Sequence, residues 1–350
     1  NYGRWRGKLN ATSFRVFLVS LLVGMLGSLL YVQPVRGDET IYIHADGTIS
    51  PPEVPISSVD YVTYTLTGTI YDSIVVNRSN IIVDGAGYTV QGFGIGEGFR
   101  LYGVNNVTIK NTNIKGFTYS IYLDLANDSV ISRNNMSANS FDGIELHDSS
   151  NNVISGNNIK TNEWYGIGLY YSSNNLIERN NITNSYSGIR FYYSRNNTVY
   201  QNHLADSFYG MGISNSSNNS IFHNNFVNNT YHVYCRSSID AWDNGYPSGG
   251  NYWSDHNPPD EDFDKIGDLP YAVDENNTDR YPLIYPYGFM PKPDVNGDGI
   301  VNIVDIATVA KAYGCKPGDS NWNPIADLDV NGVIDILDIA KVAKYYGRTV

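Results

Sequence analysis

Apolar positions in the middle of the chain recur at a fixed interval. Ile109, Ile131, Ile154, Ile177, Val199 and Ile221 form one column, and Ile121, Ile144, Ile167, Ile189 and Met211 form a second, each step being 22 or 23 residues. Within a unit, Gly143-Ile144-Glu145-Leu146 and Gly188-Ile189-Arg190-Phe191 alternate apolar and polar residues, the period-two pattern of a strand with one buried face. No stretch of a unit has the 3.6-residue period or the length of a helix, so helical and leucine-rich repeats are disfavoured. Polar residues keep the same register: Asn134, Asn157, Asn180, Asn202 and Asn224 in one column, Gly143, Gly166, Gly188 and Gly210 in another. The pattern predicts an all-β solenoid whose coils hold three short strands each and stack about 4.8 Å apart. A buried Asn can then hydrogen-bond the Asn of the next coil, so this column is read first as scaffold.

The repeat resembles the right-handed parallel β-helix of NosD-like, carbohydrate-binding and sugar-hydrolase repeats common on archaeal surface proteins, over roughly residues 70–288. At the front, Ile81-Ile82-Val83 followed by Asp84-Gly85-Ala86-Gly87 looks like that family's first coil. At the rear, Asp243-Asn244-Gly245, Gly249-Gly250-Asn251-Tyr252-Trp253-Ser254-Asp255, Gly267-Asp268-Leu269-Pro270-Tyr271 and Asp279-Arg280-Tyr281-Pro282-Leu283 look like its closing segment. A divergent end makes physical sense, because a solenoid has to cover its open edge. The family's name evokes copper, which takes clustered Cys, Met or His. Here His203 and His223 are the only imidazoles close in register and there are four methionines, so copper handling is disfavoured.

The strongest chemical signal lies near the C-terminus. Asp294, Asn296, Asp298, the Ile300 carbonyl, Asn302 and Asp305 occupy the oxygen-ligand positions of a calcium loop, with Gly299 at the sharp turn. The loop recurs 33 residues later as Asp327, Asp329, Asn331, the Val333 carbonyl, Asp335 and Asp338. Each runs into an amphipathic helix, predicted over 303–313 and 336–346, whose Ile, Val, Ala and Tyr face can pack against its twin. Two loops, each with one helix and each closed by Asp, resemble a dockerin over about 294–347. The resemblance implies two Ca²⁺ ions and a cohesin-like protein partner. Ile303-Val304 and Ile336-Leu337 stand where cellulosomal dockerins often carry Ser/Thr pairs, which points to an apolar interface. A third acidic stretch, Asp260, Asp262, Asp264 and Asp268, has calcium-turn spacing but lacks the loop's glycine and closing acid, so a further site and a solvated acidic loop both stay open.

Composition narrows the partners. The net charge is -12 without basic clusters, which argues against nucleic acid. Cys235 and Cys315 are far apart and are read as unpaired thiols. Residues 1–37 read as a signal peptide or N-terminal anchor: Arg4, Arg6, Lys8 and Arg15 precede an apolar run to Val32, and Gly37 offers a cleavage site. The first residue is Asn1, which reads as an incomplete reading frame. Sequons such as Asn77-Arg78-Ser79 suit a secreted chain but arise readily in an Asn-rich repeat. The expected organisation is 1–37 for export, 38–288 for the β-helix, 289–293 as a linker and 294–350 for the dockerin-like domain.

Outward positions of the strands form strips along the rod. Asp124, Glu145, His147 and Asp148 are the candidate catalytic groups, and Tyr170, Tyr171, Arg190, Tyr192 and Tyr193 the candidate carbohydrate contacts. The expected function is a secreted or cell-surface β-helix that binds carbohydrate or surface matrix and docks through its calcium module. The alternative is a polysaccharide lyase or glycoside hydrolase using carboxylates on the β-helix face.

Overall fold

The computed structural model describes residues 40–261, 264–288, 292–329 and 331–349. The predicted export segment 1–37 and Asp262 lie outside the described residues, as does most of the predicted linker. Three parallel sheets run side by side, each coil giving one strand to each sheet, in a right-handed parallel β-helix of about eight turns. One coil consists of Ile144–His147, Val153–Ser155 and Asn158–Lys160; the next is Tyr165–Tyr170, Leu176–Glu178 and Asn181–Thr183. The two predicted apolar columns stack as expected, with Ile144 opposite Ile167 and Ile154 opposite Ile177. Two further columns, through Leu146, Leu169 and Phe191 and through Ile159, Ile182 and Leu204, complete a dry core. Each such side chain contributes about 1.5–3 kcal/mol by leaving water.

The amides of the main asparagine ladder are fully used. Asn180 Nδ2 donates to the Ile154 carbonyl at 2.9 Å and to Asn202 Oδ1 at 3.0 Å. Its Oδ1 accepts from the backbone N–H and side-chain amide of Asn157 at 2.9 and 3.0 Å. A second buried ladder, Asn152, Asn175, Asn197 and Asn219, runs parallel to it and ends on Asp240. The turns carry columns of left-handed residues, among them Leu125, Asp148, Tyr171, Tyr193, Asn215 and Ser237 with φ of 44–54°. Such a conformation costs about 1–2 kcal/mol for most residues. Stacking imposes it here whatever the residue type.

The two ends depart from the repeat. At the front, Ile41–Ile43 pairs in parallel with Ile74–Val76, and Thr63–Leu66 with Ile81–Asp84. The stack therefore begins one coil earlier than the predicted Ile81–Gly87 opening. At the rear, Asn251 prolongs the main ladder, and Trp253 stacks between Phe226 at 4.4 Å and Tyr271 at 4.1 Å. Asp279 Oδ2 accepts from Asn251 N at 2.7 Å and Trp253 Nε1 at 2.9 Å. A β-carbon on Gly250 would lie 1.9 Å from Asp279 Oδ1, so the closing motif needs glycine there.

The C-terminal region builds its own small core from Val301, Val309, Leu328, Ile334 and Val342. Its helices span Ile303–Lys311 and Ile336–Lys344, two residues shorter than predicted at each C-terminus. Gly314 and Gly347, with φ of 82° and 79°, follow these ends. The predicted packing face is also narrower. Val309 and Val342 are buried, whereas Ile303, Ile336, Tyr313 and Tyr346 remain exposed.

Candidate functional site

On the outer face of the first sheet, Tyr122, Glu145, Gly168, Arg190, Gly212 and Tyr234 lie in one register column. Asp124, His147, Tyr170, Tyr192 and Ser214 form the neighbouring column. The strips are those expected, but their chemistry is concentrated at one point. Glu145 is only 4% exposed, and its Oε1 meets His147 Nε2 at 2.6 Å. Asp142, absent from the sequence-derived candidates, is wholly buried and accepts the Tyr165 backbone N–H at 2.9 Å.

Asp142 Oδ2 and Glu145 Oε2 are both buried, and neither meets a protein donor. A proton held on Asp142 and shared with Glu145 satisfies both oxygens, since adjacent buried carboxylates cannot both ionise. Burial, and then the neighbouring Glu145, hold the Asp142 carboxyl well above its ordinary range. The hydrogen bond to Glu145 raises the His147 pKa, against the opposing effect of burial. A β-carbon on Gly168 would lie 2.9 Å from Asp142 Oδ2 and 3.3 Å from the Tyr170 ring, so the missing side chain makes room for the cluster. Burial also pushes the Tyr122 hydroxyl up to about 12 and raises that of Tyr170.

Aromatic ladders flank this cluster. His147 stacks on Tyr170 at 4.7 Å and meets Tyr122 at 5.6 Å. A second ladder runs Phe141, Trp164, Tyr186 and Phe208 with ring centroids 5.1, 6.0 and 5.4 Å apart, and its last three members are more than 40% exposed. The sequence reading missed it, although each ring stands two residues ahead of a member of the glycine column. Beside it lies a cavity of about 370 Å³ whose lining includes Trp164, Tyr165, Tyr186, Arg190, Gly212 and Tyr234. Asp148, Tyr171 and Tyr193 are not on the strand strip. They sit in the left-handed turn that follows it, where Tyr171 and Tyr193 stack at 5.3 Å. Asp124 lies opposite His147 in register.

The second calcium loop gathers Asp327, Asp329 and Asp338, with ligand oxygens all within 4.8 Å of one another. Asp338 is fully buried, Asp327 is 1% exposed, and Asp329 Oδ1 is buried without a protein partner. Backbone N–H groups of Leu328, Asp329 and Asp335 anchor Asp338, and those of Asn331 and Gly332 anchor Asp327. Hard oxygens converging, with no Lys, Arg or His among the described residues ion-paired to them, fit Ca²⁺. In the first loop, Asp294 accepts from the N–H groups of Gly297, Asp298 and Gly299, and Asp305 from those of Asn296 and Asn302. The predicted ligands Asn302 and Asp335 have a further task that loop spacing did not reveal. Each caps its helix, accepting from Val304 N and Leu337 N at 2.7 Å. At the third acidic stretch, Asp260 accepts from the N–H groups of Asp264 and Lys265, and Asp268 from that of Glu261.

Fold and sites together define a parallel β-helix with an aromatic-walled outer face, joined in one chain to a calcium-loop module. The chain belongs to the family described as "Periplasmic copper-binding protein (NosD)", which matches residues 60–258, and residues 292–346 match the dockerin type I domain. No curated protein matches the chain. Among solved structures it is similar to the periplasmic alginate epimerase AlgG, at 16% identity over 53% of this chain and 68% of that one, with a TM-score of 0.40. An AlgG double mutant is matched over only 39% of its length, at 21% identity over 48% of this chain and a TM-score of 0.39. Tailspike protein 2 of the Escherichia coli O157:H7 bacteriophage CAB120 is 15% identical over 50% of this chain and 30% of that one, with a TM-score of 0.41.

The residues present do not fit the copper in the family's description. Met136 and Met211 are buried in the core. His223 Nε2 meets the Ser248 carbonyl at 2.7 Å and its ring stacks on Tyr287, while His203 is half-buried on its own strand. Cys235 and Cys315 are free thiols in separate segments. Among the described residues, the one group of three or more His, Cys, Asp or Glu side chains with ligand atoms all within 4.8 Å of one another is the hard-oxygen set of the second calcium loop, a poor match to copper.

Proposed function

We propose that this is a secreted or cell-surface protein that binds carbohydrate or surface matrix along its outer face and is attached to a cohesin-like domain through a module holding two Ca²⁺ ions. In this reading residues 1–37 serve export, 38–288 form the binding rod, 289–293 link, and 294–350 dock. The observation that carries it is the exposed ladder of Trp164, Tyr186 and Phe208 beside a cavity, since flat apolar faces with polar edges suit sugar rings. Tyr170, Tyr171, Tyr192 and Tyr193 extend that surface. Ile303, Val304, Ile336 and Leu337, each 50–62% exposed at matching loop positions, supply an apolar docking face.

Chelating Ca²⁺ from the full chain is expected to abolish its retention on immobilised cohesin domains. It should also speed hydrogen exchange in 303–311 and 336–344 while solenoid amides stay protected. Absence of retention with Ca²⁺ present would remove the docking half of the proposal, and unchanged exchange and retention in chelator would remove Ca²⁺ from it.

A second reading, a polysaccharide lyase or glycoside hydrolase, is favoured by the buried carboxyl pair beside a half-exposed imidazole. His147 would exchange a proton with the sugar, Glu145 would orient and charge it, and Asp142 would hold the shared proton, with Asp124 and Asp148 at the margins. Its test is the release of reducing ends or unsaturated products by the wild-type chain. Glu145→Gln is expected to lower that rate about 100-fold or more. A wild-type chain inactive across a polysaccharide panel would end this reading and leave binding intact.

A further inference from the structure

We propose that the Arg190 pocket receives the carboxylate of an acidic sugar residue, so that the polymer bound along the outer face is a polyuronate rather than a neutral glycan. This rests on the carbohydrate-binding reading above and narrows it to a substrate class. The chain carries 35 acidic and 23 basic residues. Three other basic groups meet carboxylates, Arg280 with Asp243 at 2.7 Å, Arg179 with Glu178 at 3.4 Å and Lys110 with Asp84 at 3.2 Å, while Arg78 and Lys341 meet the backbone carbonyls of Ala45 and Leu328. Arg190 makes no ion pair among the described residues; its Nη2 donates to Ser214 Oγ at 3.0 Å.

The nearest acids along its column cannot serve it. Glu145 lies two coils away, about 10 Å by strand spacing, beyond the side-chain-free Gly168, and is committed to His147 and Asp142. The groove is shaped around the guanidinium. A β-carbon on Gly212 would lie 2.8 Å from Arg190 Nη1 and 3.2 Å from its Cδ, so glycine lets the arginine lie along the sheet face. Trp164, Tyr186 and Tyr234 line the same cavity of about 370 Å³, within the range of small-ligand sites. A partly buried cation with most of its N–H groups free, walled by rings, matches a planar carboxylate held bidentate on a sugar packed against those rings.

The experiment measures affinity of the full chain for polygalacturonate, hyaluronate and glucuronoxylan, for their carboxyl-reduced forms, and for dextran and dextran sulfate. At least one of these uronate-bearing polymers, polygalacturonate foremost, is expected to bind, with affinity falling about 10- to 100-fold on carboxyl reduction. Arg190→Gln should cause a similar loss on the acidic polymer alone, Arg190→Lys should restore only part of it, and the melting temperatures of both variants should match wild type. Equal binding of the reduced form, or no effect of Arg190→Gln, overturns the inference while carbohydrate binding stands. Dextran sulfate bound as tightly as the polyuronate, through the same arginine, overturns the carboxylate assignment. No binding to any polymer overturns both.

Discussion

Asn180 and Glu145 sit in the same stack of coils, 1% and 4% exposed, and their polar atoms are treated in opposite ways. Every hydrogen-bonding position of the Asn180 amide has a partner, supplied by the coil on either side. Glu145 is left with a buried oxygen facing a second buried carboxyl, and the shortfall is met by a proton and an imidazole. The ladder spends its polar groups on geometry and has nothing left to offer a ligand. The outer-face cluster holds the Asp142 carboxyl above its ordinary range and leaves two buried carboxyl oxygens without a protein partner, a setting characteristic of functional sites. Burial alone does not separate scaffold from site; two unmet carboxyl oxygens gathered beside an imidazole set this cluster apart from isolated unmet atoms such as Asn162 Nδ2 and Asp240 Oδ2.

The sharpest way to break this contrast is Asn180→Leu. It strands the Asn157 N–H, one N–H of the Asn157 amide and the Ile154 carbonyl in a dry interior, at about 1–3 kcal/mol for each unpaired group, while Asn202 Oδ1 keeps the residue-180 backbone N–H and the Asn157 amide its bond to the Ile131 carbonyl. We expect a loss of about 4–6 kcal/mol in denaturant unfolding, with glycan affinity unchanged below the transition. A loss under about 1 kcal/mol would mean that the ladder is ornamental.

Asp142→Asn tests the other side and should act in the opposite direction. The native Asp142 carboxyl is raised above the ordinary value of 3.8, so the folded chain holds a proton that the unfolded chain releases above that value. This group's stabilisation is therefore complete below 3.8 and is lost as pH rises toward the native pKa. Asparagine keeps the acceptor for Tyr165 N, offers Glu145 a permanent donor, and removes that decline. The variant is expected to match wild type near about pH 4 and to exceed it by about 1 kcal/mol or more near about pH 8. A variant less stable than wild type at the higher pH would show that the pair is structural.

The scaffold was legible and the site only half so, for one physical reason. Stacking at a fixed spacing makes each coil repeat the solution of its neighbour, so Asn134 to Asn224, the glycines and the isoleucines announce themselves as columns. Glu145 and His147 could be read from the strand alternation. Asp142 interrupts a column that runs Glu97, Tyr119, then Tyr165, Ser187, Tyr209 and Tyr231, and a repeat argument passes over an exception. A carboxylate set between Tyr119 and Tyr165 was the available signal. The turn conformation of Asp148, Tyr171 and Tyr193 had none, because Leu125, Asn215 and Ser237 adopt it equally. At the calcium loops, spacing located the ligands, whereas the capping by Asn302 and Asp335 emerges only once the helices are in place.

The smallest expected effect separates ring from frame. Trp164 is 44% exposed between Phe141 and Tyr186, and its ring lies on the outer ladder rather than in the core. Trp164→Ala removes one face from the groove and no hydrogen bond from the ladders. We expect affinity for the bound polysaccharide to fall about 5- to 10-fold, equivalent to about 1 kcal/mol of aromatic contact. Unfolding free energy should change by less than about 0.5 kcal/mol, as for a surface site. Because the ring packs on a sugar face whatever the sugar's charge, the loss should be the same for a polyuronate and its carboxyl-reduced form, unlike that of Arg190→Gln. A Trp164→Ala variant that lost stability but kept its affinity would reverse the assignment, making the exposed ladder part of the frame and leaving the groove without a wall.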